Sequence, residues 1–157
     1  MAVVFRAQIR ERRGPPVESL PSGRAPRLNV NVIFTSLGGT KAALQAAGKL
    51  ARDLGARVTV LAAQVVPYPL PLEKPPIAVE FTEQALLQMV SEEEVEIAIE
   101  VCLCRDSEKT LREALAPESV VVIGGRGRRW PVRERMLARR LRRDGHHVIY
   151  ADSSDHF

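Results

Sequence analysis

Two glycine-rich segments of the sequence have the composition of loops that bind phosphate groups. Thr35–Thr40 reads TSLGGT, and Gly124–Arg129 reads GGRGRR. Glycine lets a backbone approach a bound molecule closely, and arginine forms bidentate hydrogen bonds with phosphate oxygens. These segments supply six candidate nucleotide- or phosphate-binding residues: Gly38, Gly39, Gly124, Arg126, Gly127 and Arg128.

Each glycine-rich segment lies between a predicted strand and a predicted helix. The strands are Asn29–Thr35 and Ser119–Gly124, and the helices are Gly38–Gly55, with Thr40 as its expected N-cap, and Pro131–Arg143. A helix N-terminus presents unbonded N–H groups to an anion, which favours phosphate binding. The alternative is that the glycines only form tight strand-to-helix turns.

The rest of the chain continues this alternation of strands and helices. A β-α-β pattern of this kind predicts a single α/β domain with a doubly wound, five-stranded parallel sheet and helices on both faces. The further predicted strands are Arg57–Val66, Val95–Leu103 and His146–Ala151, and the further predicted helices are Val79–Glu93 and Asp106–Ala116.

Strand composition predicts the order of the strands. Ser119–Gly124 is continuously apolar, as a central strand should be, whereas Val95–Leu103 alternates with glutamate and is expected at an edge. Right-handed crossovers then give the order 3-2-1-4-5, counted from the strand at Asn29. Ligands of such sheets bind where the order reverses, at the carboxyl ends of the first and fourth strands. Both glycine-rich loops are predicted to meet there.

The segments outside this pattern are rich in proline and arginine. Residues 1–27 are expected to form a flexible tail, 28–152 the α/β domain, and 153–157 a short C-terminal tail. An alternative for Ala2–Phe5 is a short added strand. Pro67–Pro76 contains five prolines and is predicted to be an extended, polyproline-like connection, with an SH3-type ligand as the alternative.

The charges of the chain are separated along its length. Residues 73–118 contain twelve acidic residues, and residues 126–143 contain nine arginines. This separation favours self-association or anion capture. The arginines around Val132, Met136, Leu137 and Leu141 are expected on several faces of the last helix, with Trp130 as the one nearby aromatic residue, so nucleic acid is not an expected partner.

Other chemistry-bearing residues lack the partners that catalysis or metal binding needs. Cys102 and Cys104 have no nearby third or fourth ligand, and His146 and His147 are interpreted as strand-end residues. No catalytic residues, metal site or firm cofactor are therefore expected. The sequence also contains no apolar run long enough for a membrane helix and no secretory signal, so we expect a cytoplasmic location.

The strand–helix pattern, with VVVIGGRGR at Val120–Arg128 entering the last helix, resembles a universal stress protein domain. The resemblance spans about Asn29 to Ala151. It implies the 3-2-1-4-5 sheet, dimers that pair through the last strand and, in one branch of the family, ATP or AMP binding. That branch has Gly-x-x-Gly, then nine residues, then glycine followed by serine or threonine.

The chain matches the first half of that motif and departs from the second. Gly124 and Gly127 match, but nine residues later stand Leu137 and Ala138. Alignment from the C-terminal side places a different pair there, Glu134 and Arg135. The resemblance also places Leu37 where the family has an acidic residue, and Ala63 where the backbone contacts adenine; Ala63 completes the candidate site.

These observations predict a regulatory, stress-response domain with a degenerate nucleotide site and no catalysis. It is expected to act as a homodimer through the last strand and by protein interaction. The alternative is a sensor that binds ATP, AMP or phosphate through the two glycine-rich loops. Ser36–Lys41, SLGGTK, also resembles the pyrophosphate loop of adenylating enzymes, although no aspartate follows its glycines.

Overall fold

Ten helices and strands make up the computed structural model over the residues it describes, which are 3–9, 29–90, 97–125 and 132–152. The strands and helices alternate from Asn29 onward, as predicted. In chain order they are β1 (Val3–Ile9), β2 (Asn29–Ile33), α1 (Leu37–Leu54), β3 (Arg57–Val65), α2 (Val79–Val90), β4 (Ile97–Cys104), α3 (Ser107–Ala114), β5 (Val120–Gly125), α4 (Val132–Arg143) and β6 (His147–Asp152).

A single sheet with the order β1-β4-β3-β2-β5-β6 forms the centre of the fold. The strands from β2 to β6 are parallel, and their order confirms the prediction of 3-2-1-4-5. β5 lies between β2 and β6, and Val121, Val122 and Ile123 are fully buried. Burial on both faces explains why its sequence is continuously apolar.

The N-terminal strand β1 adds an antiparallel edge to the five parallel strands. It pairs with β4 along its whole length, from Val3 opposite Leu103 to Ile9 opposite Ile97. Residues 3–9, which the sequence analysis assigned to the tail, therefore belong to the sheet. The expectation that β4 is an edge strand is wrong. β4 lies between β1 and β3 in the sheet, so its alternation with glutamate does not mark an edge.

The helices cover both faces of the sheet, as predicted. α1 and α2 pack over one face, where Ala43, Ala47 and Leu86 join the apolar residues of the sheet. α3 and α4 pack over the other face, through Leu111 and Leu141 among others. This division follows from right-handed crossovers, because the chain moves outward from β2 to β4 and then returns across the sheet to β5.

The proline-rich connection between β3 and α2 is folded into two consecutive turns. The N–H of Leu70 donates to the carbonyl of Pro67 at 3.0 Å, and the N–H of Lys74 donates to Pro71 at 3.0 Å. The prediction of an extended, polyproline-like loop is wrong. Proline favours turns as well as extended backbone, and the non-proline residues supply the N–H groups that close the turns.

One large apolar residue of α2 faces solvent. The side chain of Phe81 is 69% exposed, whereas Leu86 and Val90 of the same helix are buried. Five residues of helix place Phe81 about 140° from Leu86 around the helix axis, so the two side chains do not share a face.

Among the described residues, no helix has both the length and the apolarity to cross a membrane.

Deletion of residues 1–9 should lower the free energy of unfolding and promote association of the chain. Removal of β1 leaves the N–H and C=O groups along β4 without strand partners, and such an edge recruits other chains. Urea denaturation and light scattering measure the two effects. Deletion of residues 153–157 is the control. A β1-deleted chain with the midpoint and mass of the full chain would contradict this role of β1.

Candidate functional site

The two glycine-rich loops meet at the carboxyl ends of β2 and β5. The strands pair in parallel up to Ile33 and Ile123, so the loops that follow them leave the sheet side by side. The Thr35 hydroxyl donates to the carbonyl of Gly124 at 3.1 Å and joins the two loops directly. The predicted convergence of these loops is therefore correct.

Gly39 and Gly124 allow the backbones of the two loops to pack against each other. A Cβ atom on Gly39 would lie 2.7 Å from the carbonyl oxygen of Gly124, and a Cβ atom on Gly124 would lie 1.6 Å from the carbonyl oxygen of Gly39. Neither distance is tolerated by a real side chain. These two glycines thus serve the contact between the first turn of α1 and the end of β5.

The N-terminus of α1 is capped by a side chain from the same segment. Ser36 is the N-cap, and its hydroxyl accepts a hydrogen bond from the N–H of Gly39 at 3.1 Å. The prediction of Thr40 as N-cap is wrong, because the helix starts before both glycines. Thr40 is buried, and its hydroxyl accepts from the N–H of Thr35 at 3.1 Å. The N–H of Gly39 already has a partner within the protein.

A cleft of about 580 Å³ opens beside these loops, between α3 and α4 and at the ends of β2 and β3. Its size is typical of small-molecule sites. Ala63 lines it, whereas Gly38, Gly39 and Gly124 are not among its described lining residues. Arg126, Gly127 and Arg128 lie outside the described residues. The described lining comprises Ile33, Phe34, Thr35, Ala63, Val65, Asp106, Ser107, Glu108, Leu111, Glu134, Met136, Leu137 and Arg140.

Glu134 places a carboxylate on the inner face of α4. It precedes Leu137, Ala138 and Leu141 by three, four and seven residues, so it shares their helix face. Those three residues are buried in the core. The Oε2 atom of Glu134 is buried and has no hydrogen-bond partner among the residues that the structure describes. Sequence analysis considered Glu134 only as a motif position, although its spacing from the apolar residues indicated an inward side chain.

The other charged residues of the cleft are largely paired. Asp106 is the N-cap of α3 and accepts from the N–H of Lys109 at 3.2 Å. Glu108 forms an ion pair with Arg140 of α4. The described part of the cleft therefore contains three carboxylates and one guanidinium group, a balance that disfavours a polyanionic ligand.

A second ion pair connects the two helices that form the walls of the cleft. Arg112 of α3 donates to both carboxylate oxygens of Asp144, at 2.8 and 3.0 Å. These hydrogen bonds hold the pKa of Asp144 below its usual range. Together with the pair between Glu108 and Arg140, this contact fixes α3 relative to the C-terminal half of α4.

The described histidines and cysteines lie in or beside strands of the sheet. His146 is buried, and its Nδ1 accepts a hydrogen bond from the N–H of Ser119 at 3.1 Å; His147 begins β6. Cys102 and Cys104 are buried thiols, and burial raises the pKa of Cys104. No group of three or more potential metal ligands occurs among the residues that the structure describes.

The exposed arginines of α4 lie on one side of the helix. Arg135, Arg139 and Arg143 follow each other at intervals of four residues and are exposed, and Arg142 is exposed beside them. Arg140 lies on another side, where it lines the cleft and pairs with Glu108, so the described arginines of α4 occupy more than one face, as predicted. The side chain of Arg133 lies outside the described residues. Met136, predicted to lie among the apolar residues, is 45% exposed.

Comparison with solved structures finds a universal stress protein from Archaeoglobus fulgidus. The match has a TM-score of 0.54 and 16% sequence identity, and it covers 80% of this chain and 94% of that protein. The fold resembles that of universal stress proteins. At this identity the likeness concerns the fold, and it confirms the resemblance at that level. No protein-family model matches the chain, and no curated protein sequence matches it.

Substitution Gly124→Ala should lower the free energy of unfolding by more than about 3 kcal/mol. Its Cβ atom would overlap the Gly39 carbonyl, and relief requires separation of α1 from β5. Gly55→Ala is the control, because nothing lies within 4 Å of its Cβ position and only the strain of its positive φ is expected, about 1 kcal/mol. Equal losses in urea denaturation would show that the Gly39–Gly124 contact is not tight.

Proposed function

We propose that this chain is a universal-stress-protein-like regulatory domain with a degenerate nucleotide site. It acts in the cytoplasm without catalysis of its own, through self-association and contacts with other proteins. The fold similarity and the position of the cleft support the family relationship. The polar groups of the cleft support the loss of nucleotide binding.

The position of Glu134 is the observation that carries this proposal. Its carboxylate, which has a buried oxygen without a hydrogen-bond partner among the described residues, lines the cleft together with Ala63, the position that the family resemblance associates with adenine. Two unit charges about 4 Å apart repel by about 4 kcal/mol at an effective dielectric constant of about 20. A phosphate group placed near this oxygen therefore loses a large part of any affinity that the cleft provides.

The alternative alignment of the motif leads to the same conclusion. Leu137 and Ala138, which stand where the family has its second glycine and hydroxyl residue, are both buried within α4. Their side chains are part of the core between α4 and the sheet. They are therefore committed to packing, and they provide no hydroxyl group for a phosphate.

A second candidate function is a sensor of ATP or AMP. The observation that favours it is the cleft itself, which has the volume of a nucleotide-sized site and is lined by Ala63 and Thr35 at the ends of the central strands. Adenine could occupy the apolar part of the cleft, near Ile33 and Phe34, while the phosphates extend away from Glu134.

A thermal-shift titration with ATP, AMP and inorganic phosphate separates the two functions. The degenerate site predicts an unchanged melting temperature with each compound, and no release of phosphate from ATP. A rise of several degrees with ATP but not with phosphate would support the sensor instead.

The variant Glu134→Gln sharpens this test, because it removes the charge and keeps the shape of the side chain. If the carboxylate excludes phosphates, this variant gains an ATP-dependent rise in melting temperature. Glu113→Gln, an exposed position on α3, is the control for the loss of one negative charge.

Self-association is proposed to use the free edge of β6. His147 donates its N–H to Ser119 beside β5, so Val148 and Tyr150 direct their backbone groups away from β5. The Arg142 side chain covers part of this edge. It donates to the Val148 carbonyl at 3.4 Å, and its guanidinium carbon lies 5.0 Å from the centre of the Tyr150 ring.

Arg142→Ala should therefore increase the dimer fraction measured by analytical ultracentrifugation. The substitution frees the Val148 carbonyl to accept a hydrogen bond from a second copy of β6. Arg143→Ala removes the same charge from the next residue and is the matched control. If the dimer fraction of Arg142→Ala does not exceed that of the Arg143→Ala control, dimerisation through the edge of β6 is contradicted.

A further inference from the structure

Three arginines form a straight row on the outer surface of α4. Arg135, Arg139 and Arg143, here called the arginine stripe, are spaced by four residues and are all exposed. Four residues of α-helix rise by about 6 Å, so the row extends over about 12 Å. Glu134, the acidic residue of α4, lies on the inner face, and Leu137, Ala138 and Leu141 occupy the rest of that face.

The arginines of the stripe form no close ion pair with a described carboxylate, and Arg143 interacts with Asp144 only beyond ion-pair distance. Arg140 pairs with Glu108, and Arg142 contacts Val148 and Tyr150. No described carboxylate forms an ion pair with Arg135, Arg139 or Arg143. Like charges at four-residue spacing repel one another and destabilise a helix. The three guanidinium groups therefore repel one another without a close ion pair to a described carboxylate, and a bound anion would reduce this repulsion.

We propose that the arginine stripe binds the phosphodiester backbone of nucleic acid without sequence preference. Guanidinium groups bind phosphate in a bidentate geometry, and α4 contains six arginines and no lysine. A calculated isoelectric point of about 9.5 for the chain agrees with a polyanionic partner. The stripe contains no aromatic residue on which a base could stack, so contact is confined to the backbone.

The composition of the surface favours nucleic acid over an acidic protein. Stable protein interfaces depend on a central, desolvated cluster of apolar or aromatic side chains. Met136 is the large apolar side chain exposed beside the stripe, and the rest of the described outer face of α4 is arginine. Binding by charge alone is characteristic of nucleic-acid backbones. The sequence did not suggest this partner because the arginines were expected on several faces.

Fluorescence anisotropy with a labelled oligouridine of about 20 nucleotides, longer than typical binding sites, tests the proposal on the full chain. Three phosphate contacts on a single strand contribute about −2 to the slope of log K against log salt concentration. The triple variant Arg135→Gln, Arg139→Gln, Arg143→Gln should bind oligouridine more than tenfold more weakly. The slope of log K against log salt concentration should become less negative by about 2. Its melting temperature should not fall, since all three side chains are exposed.

A matched control removes three positive charges from the opposite face of the sheet. Lys41, Lys49 and Arg52 are exposed on α1, and their replacement by glutamine should leave most of the affinity. Equal losses in the two triple variants, or no loss in the stripe variant, would overturn the proposal. A polyglutamate peptide that binds the stripe in place of oligouridine would also overturn it and identify an acidic protein as the partner.

Discussion

The backbone contact between Gly39 and Gly124 is the constraint on which the geometry of this molecule depends. At this contact the first turn of α1 lies against the end of β5, closer than any side chain would permit. The Thr35 hydroxyl donates to the Gly124 carbonyl beside it and joins the same two loops. The contact thus holds the first turn of α1 at the carboxyl end of β5, near the cleft.

The same contact gives Gly39 and Gly124 a role in packing rather than in phosphate binding. A glycine-rich loop before a helix is a common way to bind phosphate, because both the backbone and the helix N-terminus approach the anion. Here the backbones of Gly39 and Gly124 pack against each other in the space that side chains would otherwise take. The N–H of Gly39 donates to the Ser36 hydroxyl. The cleft nearby is walled by α3 and α4, which two ion pairs hold together. A fold similar to that of a universal stress protein is thus combined with a cleft whose described lining contains three carboxylates and one guanidinium group.

Helix α4 separates its charges between two faces. Its carboxylate, Glu134, lies on the inner face toward the cleft, and the guanidinium groups of Arg135, Arg139 and Arg143 are exposed to solvent. An inward acid opposes anions in the cleft, while the outer surface attracts them. The two faces of one helix therefore favour different partners, and the protein is expected to meet polyanions on its surface rather than in its interior.

The sequence by itself determined the succession of strands and helices and the order of the parallel strands. Both depend on local patterns, such as the apolar run of β5, which records its burial on two faces. Only the tertiary structure decided what depends on distant residues. The pairing of β1 with β4 joins segments about ninety residues apart, and the turns of the proline-rich loop depend on which N–H groups find carbonyls. The environments of Glu134 and the α4 arginines likewise depend on the rotation of α4 about its axis, which is fixed by the packing of its apolar residues against the sheet.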